Sequence, residues 1–202
     1  SSRPFVCLRD GVYRGATERT RRMALWVFGY GSLLWNPGFE VGVQEHARLP
    51  GYARSFCMRS IHHRGTEAEP GLVLALDEQP DAVCEGLALR ARDDQADAVL
   101  KYLRERELIS SAYVEKLLPV TLADGRTIEA VTYVIDAAHV QYCGGLPLEE
   151  QAAIIARAMG GRGPNTEYLY NTTAHLDELG IPDAELHWLR DRVRQLVDND
   201  LA

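Results

Sequence analysis

The clearest hydrophobic pattern in this chain is helical and falls mainly in its second half. Apolar residues recur at intervals of three and four, which predicts helices over residues 93–108, 148–159, 166–179 and 184–198. Local signals agree with these bounds, because Pro147 stands at a helix start, Gly180 follows an apolar stripe, and Asp183 is placed to cap the last helix. Asn165 is expected to cap the third helix.

The first two thirds of the chain carry shorter apolar runs rich in β-branched residues. These runs predict strands near residues 25–30, 40–46, 52–59, 72–76, 83–90, 112–120 and 128–136. A strand-rich part followed by a helix-rich part is typical of an α+β fold. Residues 1–24 show no clear periodicity, so we expect an N-terminal extension packed on the surface of one domain over residues 25–202.

Composition narrows the class of protein. The 202 residues, 46% hydrophobic and 25% charged, suit one compact domain. A net charge of −7 argues against a nucleic acid partner, and no apolar run approaches the roughly 20 residues that cross a membrane. The four cysteines are scattered without a C-x-x-C pair, and no signal peptide is recognisable, so we expect a reducing cytoplasmic location.

The loop after the first predicted strand is a candidate ligand site. An apolar run ending at Phe28 leads into Gly29-Tyr30-Gly31-Ser32-Leu33. Because glycine tolerates positive φ, the backbone N–H groups of residues 30–33 can form a site for an anion or an oxyanion, although a plain strand–turn–strand connection fits the pattern equally. Neither a P-loop nor a dinucleotide fingerprint is present, and no cofactor is predicted.

Glu107 is a candidate general base. The predicted helix over 93–108 has an apolar stripe that includes Leu100 and Leu103, and Glu107 is the next residue on that stripe. Burial raises the pKa of a carboxyl group, which suits acid–base chemistry near neutral pH. The alternative is a structural ion pair at the helix end, with Arg54 as one possible partner.

Five segments of the chain resemble the ChaC branch of the gamma-glutamylcyclotransferases, enzymes that degrade glutathione. They occur in the expected order between about residues 25 and 197, and they are FGYGSLLWNPGF from Phe28, GYARSFCMRSIHHRG from Gly51, PGLV from Pro70, YLRERE from Tyr102 and GPNTEYL from Gly163. The resemblance implies a mixed α/β cyclotransferase fold, with a small curved or barrel-like sheet and helices around it. It also implies glutathione or a related gamma-glutamyl compound as the small-molecule substrate.

The resemblance also assigns roles to individual residues. It makes Glu107 the catalytic residue and places Tyr30, Gly31, Ser32 and Leu33 on the substrate. Ring closure by the substrate's own α-amine would then give 5-oxoproline and cysteinylglycine without a protein nucleophile. Cyclotransferases for other gamma-glutamyl amines, and a non-catalytic binding module, are the alternatives.

Two tyrosines resemble family positions near the pocket. Tyr113 can hydrogen-bond the substrate or Glu107, or else pack on the sheet, and Tyr142 is a pocket wall or a core residue. The chain departs from the glutathione-specific eukaryotic members at residues 108–112, which we interpret as a longer bacterial-type version. It also has Leu72 where the family often has arginine.

Glutathione carries two carboxylates, so an acidic protein needs local positive charge to bind it. Arg54 and Arg64 are the predicted substrate-binding cations, because arginine suits bidentate carboxylate recognition; for both, a solvated strand face remains the alternative. Arg59, between them, is interpreted as a solvated charge. His62-His63 lacks the spacing of metal ligands, so no metal is predicted.

Overall fold

The computed structural model describes residues 24–201, and the predicted extension over residues 1–24 lies, apart from residue 24, outside them. Five strands form a closed barrel in the order β1-β3-β2-β4-β5. They are β1 (Trp26–Gly29), β2 (Val41–Ser60), β3 (Gly71–Ala91), β4 (Tyr113–Leu122) and β5 (Thr127–Ile135). All neighbouring pairs are antiparallel except β1 and β5, which close the barrel in parallel at Val27 and Val131.

Four helices and a small hairpin complete the described part of the fold. The helices are α1 (Ala96–Glu107), α2 (Leu148–Arg157), α3 (Asn165–Glu178) and α4 (Ala184–Asp200). The hairpin consists of β6 (Met159–Gly160) and β7 (Gly163–Pro164), which the sequence pattern did not predict. This arrangement confirms the predicted α+β class with a small barrel and surrounding helices. None of the helices within residues 24–201 is long and apolar enough to cross a membrane.

The prediction of separate strands over 40–46 and 52–59, and over 72–76 and 83–90, was wrong. Each pair is one continuous strand, β2 and β3, and together they form a long antiparallel hairpin. The register shifts between Pro50 and Tyr52, where Gly51 has φ +84° and β3 contributes extra residues. A bulge of this kind bends a strand without ending its pairing, so turn-forming residues gave a false signal of a break.

The predicted helices are confirmed, with small changes at their ends. Asp183 caps α4, since its side chain accepts a hydrogen bond from the N–H of Leu186 at 3.1 Å. The predicted cap at Asn165 was wrong. Its side chain accepts from the N–H of Leu72 and donates to the C=O of Leu72, both at 2.8 Å, and so ties α3 to β3.

The core has two main parts. One cluster is drawn from the barrel strands and includes Phe28, Leu49, Leu76 and Val120. The larger cluster lies between the sheet and the helices, where α2, α3 and α4 pack on one another and α2 and α3 pack on β3. The barrel therefore has its own apolar filling, and the helices cover one side of it.

Candidate active site

A cavity of about 230 Å³ opens where β1 ends and α1 stops. It brings together Glu107, Tyr113 and the whole of the predicted loop Tyr30–Leu33. Its walls are Tyr30, Gly31, Ser32, Leu33, His63, Val73, Leu74, Glu107, Tyr113, Tyr133 and Tyr168. Residues far apart in the sequence thus meet around one carboxylate.

The backbone conformation of the loop differs from the one that the sequence predicted. Gly31 has φ −132°, and neither Gly29 nor Gly31 is among the glycines with positive φ. The loop instead enters a short 3-10 helix over Ser32–Leu34, closed by a 2.9 Å bond from the N–H of Leu34 to the C=O of Gly31. The N–H groups that begin such a turn have no partner within it, so they remain available beside the cavity.

Glu107 is the last residue of α1, and its side chain is 20% exposed. Burial raises the pKa of Glu107 above its ordinary value, while the guanidinium of Arg106 opposes this shift. Nε of Arg106 lies 3.4 Å from Oε1 of Glu107. The carboxyl group is therefore largely desolvated but keeps one cationic neighbour.

Arg106 links the end of α1 to the loop region by hydrogen bonds. Its guanidinium donates to the C=O of Asn36 at 2.7 Å and to Oγ of Ser32 at 3.0 Å. It also donates to the C=O of Pro37 at 3.2 Å. One side chain thus fixes the distance between Glu107 and the residues that follow the loop.

Four tyrosines form much of the remaining wall. Tyr30 donates from its hydroxyl to the C=O of Tyr133 at 3.0 Å, and the hydroxyl of Tyr168 accepts from the N–H of Leu74 at 3.1 Å. Burial raises the pKa of Tyr30 and Tyr113, and that of Tyr168 to about 12. These hydroxyl groups therefore stay protonated near neutral pH and act as hydrogen-bonding groups.

Tyr113 differs from the other tyrosines in one respect. Within residues 24–201 its hydroxyl has no hydrogen-bonding partner, although the ring is largely buried and lines the cavity. A free hydroxyl beside Glu107 can bind a ligand there. This placement favours the pocket alternative for Tyr113 over simple packing on the sheet.

Arg54 lies outside this cavity. Its side chain is only 4% exposed; Nε donates to the C=O of Tyr30 at 2.7 Å, and a terminal nitrogen lies 3.3 Å from Oδ2 of Asp183. A further bond goes to the C=O of Glu85. Each nitrogen of the guanidinium has a protein partner, so Arg54 holds the loop in place from outside the cavity that contains Glu107.

Arg64 and Tyr142 also lie away from the cavity wall. Arg64 donates to the C=O of Pro164 at 3.2 Å and lies over the ring of Tyr168, 5.8 Å from its centroid. Tyr142 donates to the carboxylate of Asp77 at 3.1 Å and lines a different cavity. The loop, Glu107 and Tyr113 thus line one cavity, whereas Arg54, Arg64 and Tyr142 do not line it.

Several wall residues were not identified from the sequence. Tyr168 lies in a segment that matched the family, so a signal existed for it, and the same holds for Arg106, which adjoins Glu107 and bonds the loop but does not line this cavity. His63 also lies in a matching segment, but it was considered only as a metal ligand. Tyr133 gave no signal, because its place at this cavity depends on contacts between distant parts of the chain. Within the described residues, no three His, Cys, Asp or Glu side chains come together as a metal site.

Comparison with solved structures defines the class of fold. A crystal structure of a yeast gamma-glutamyl cyclotransferase specific to glutathione superposes with a TM-score of 0.74 at 25% identity, covering 86% of this chain and 99% of that one. The barrel with its surrounding helices is therefore a gamma-glutamylcyclotransferase fold.

Sequence comparison then identifies the family. The family described as ChaC-like protein matches residues 25–196, and the chain belongs to it. A glutathione-specific gamma-glutamylcyclotransferase of Escherichia coli K12 is 35% identical, over 96% of this chain and 87% of that protein. One from Schizosaccharomyces pombe is 33% identical, over 81% and 88% respectively. The resemblance seen in the sequence is confirmed.

Proposed function

We propose that this protein is a glutathione-specific gamma-glutamylcyclotransferase. The observation that carries the proposal is the meeting of Glu107 with the Tyr30–Leu33 loop in one cavity. Membership of the ChaC-like family and the names of its relatives support the choice of glutathione. The substrate is split without water: its gamma-glutamyl group leaves as 5-oxoproline and the remainder as cysteinylglycine.

Glu107 moves the proton in this reaction. Its carboxylate takes a proton from the α-ammonium group, and the free amine attacks the γ-carbonyl carbon and closes a five-membered ring. The ring nitrogen, which still carries an extra proton after the attack, loses that proton to the departing nitrogen of cysteine, and the amide C–N bond breaks as Glu107 gives its own proton to the same nitrogen. The two protons lost by the α-ammonium group thus leave on the amine of cysteinylglycine, which departs as an ammonium group. The raised pKa of Glu107 brings it closer to that of the groups it serves, which is the condition for efficient proton transfer.

The loop and the tyrosines hold the substrate. Backbone N–H groups at residues 31–33 bind the glutamyl carboxylate or the carbonyl oxygen on which negative charge develops, and such donors contribute a few kcal/mol to the transition state. The free hydroxyl of Tyr113 hydrogen-bonds the substrate beside Glu107. Holding the flexible glutamyl chain in its cyclising conformation lowers the barrier further.

The test is to detect 5-oxoproline by mass spectrometry after incubating the purified protein with glutathione and, separately, with gamma-glutamyl-alanine. We expect release from glutathione, reduced by at least about 100-fold in Glu107→Gln because the base is lost. Glu105→Gln is the matched control, since Glu105 is exposed on the same helix. Release from gamma-glutamyl-alanine alone would instead indicate a cyclotransferase for other gamma-glutamyl compounds. No release from either substrate would contradict the proposal.

A further inference from the structure

A second cavity of about 490 Å³ adjoins the one that holds the loop. The two share four wall residues, His63, Val73, Glu107 and Tyr113. Glu107 therefore stands at the junction, with the loop on one side and the second cavity on the other. None of the predicted substrate-binding arginines lines this second cavity, but Arg59 does.

The first cavity is small for the proposed substrate. Its 230 Å³ lies below the range of roughly 300 to 1,000 Å³ that is usual for ligand pockets. The glutamyl group occupies the loop side, and the departing amine must lie at Glu107 to receive its proton. The leaving dipeptide begins at that point and extends by up to about 3.5 Å per residue. The second cavity, which adjoins Glu107, offers it room.

The charges around the second cavity suit an anionic end group. Apart from Glu107, its walls contain no carboxylate, although the protein has a net charge of −7. Arg59 and Arg106 supply permanent positive charge, and Arg106 is already bonded to the loop region. Burial, with Arg162 as a further cause, lowers the pKa of His63, so its ring is mainly neutral at neutral pH.

Arg59 is the cation left free. Within residues 24–201 its guanidinium has no ion-pair or hydrogen-bonding partner, and the residue is half-buried on β2. Its backbone is fixed by Gln141: the N–H of Arg59 donates to the C=O of Gln141 at 2.8 Å, and Nε2 of Gln141 donates to the C=O of Arg59 at 3.0 Å. The sequence pattern predicts a solvated charge at Arg59, because a strand pattern alone does not reveal a cavity.

We propose that Arg59 binds the C-terminal carboxylate of the leaving dipeptide and so makes the enzyme selective for glutathione over gamma-glutamyl compounds without that carboxylate. The inference rests on the proposed function and extends it to the leaving-group side of the site. A guanidinium–carboxylate pair in a partly buried wall is a charge-assisted contact with defined geometry. Arg59 contributes to binding of the leaving dipeptide and takes no part in proton transfer.

The test compares two substrates and three variants in steady-state kinetics. The substrates are glutathione and glutathione whose glycine carboxylate is replaced by a carboxamide, and 5-oxoproline is measured for both. We expect Arg59→Gln to raise KM for glutathione by about 10- to 100-fold with kcat little changed. For the wild-type protein, KM should be higher for the carboxamide than for glutathione by a similar factor. Arg59→Gln should raise KM for the carboxamide no further.

Two more variants serve as controls. Arg59→Lys keeps the charge, so its KM for glutathione should lie between those of the wild-type protein and Arg59→Gln. Arg48→Gln removes an exposed arginine from the same strand, 63% exposed in its side chain and outside both cavities, and should leave the kinetics unchanged.

The outcomes separate failure of the inference from failure of the proposed function. If Arg59→Gln raises KM equally for both substrates, or for neither, the role of Arg59 is overturned while the cyclotransferase activity stands. If the wild-type protein forms 5-oxoproline from neither substrate, the proposed function fails, and the role of Arg59 is overturned with it.

Discussion

The burial that suits Glu107 for proton transfer also lowers the stability of the folded protein near neutral pH. Its pKa is raised by burial, so folding disfavours the ionised carboxylate relative to the unfolded chain. The contribution of this group to stability is therefore most favourable below the ordinary pKa of 4.5 and is lost as the pH rises through the raised value. A functional group that lowers stability at working pH is a common feature of active sites.

The first prediction concerns this cost. We expect Glu107→Gln to unfold with a higher free energy than the wild-type protein at pH 7, by about 1.4 kcal/mol for each unit of pKa elevation. The gain should shrink as the pH is lowered below 4.5, where both proteins carry a neutral side chain. Urea denaturation at several pH values measures it, with Glu105→Gln as the exposed control. A destabilised Glu107→Gln at pH 7 would contradict this account.

At the scale of elements, hydrogen bonds from Arg106 connect α1 to the loop after β1. The side chain bonds Ser32 and the C=O of Asn36, and it also lies beside Glu107. It therefore has two effects, one on the position of the loop and one on the charge of the base. Both can be measured separately.

The second prediction is that Arg106→Met lowers kcat/KM by about 10- to 100-fold, because a misplacement of about 1 Å costs that much. It should also move the acidic limb of the pH–rate profile to higher pH, because Arg106 opposes the elevation of the pKa of Glu107. Lys101→Met, exposed on the same helix, is the control. A loss of rate without any shift of the limb would limit Arg106 to positioning the loop.

At the scale of the whole molecule, Arg54 joins the barrel to the helical layer. It extends from β2 to the C=O of Tyr30 after β1, to the C=O of Glu85 on β3, and to Asp183 at the start of α4. Four parts of the chain that are distant in sequence meet at this one buried cation. Its removal leaves their polar groups without a partner.

The third prediction is that Arg54→Met lowers the free energy of unfolding by about 3 to 5 kcal/mol, the range for breaking a buried charge pair. Activity should fall with it, because Tyr30 carries the loop. Chemical denaturation measures the change, and Arg48→Met on the exposed side of the same strand should stay within about 0.5 kcal/mol of wild type. A loss below about 1 kcal/mol in Arg54→Met would show that Arg54 is not needed to hold the layers together.

The sequence by itself determined the helices, the class of fold, the position of the loop in the chain and the catalytic candidate. Helices are set by local periodicity and capping residues, and Asp183 and Gly180 act where the sequence placed them. Glu107 was found because its position on a helical stripe fixes the direction of its side chain. The five matching segments identified the family, since several motifs in a fixed order are far more specific than any one of them.

Only the tertiary structure decided which residues share the site. The folded chain brings Tyr133 and His63 to the cavity that holds Glu107, and the guanidinium of Arg54 bonds the C=O of Tyr30 outside that cavity. The fold also places Arg59 in the wall of a cavity, although its strand pattern predicted a solvated charge. Periodicity reports which face of an element a side chain occupies. It does not report what lies opposite that face, because that depends on contacts between residues far apart in the chain.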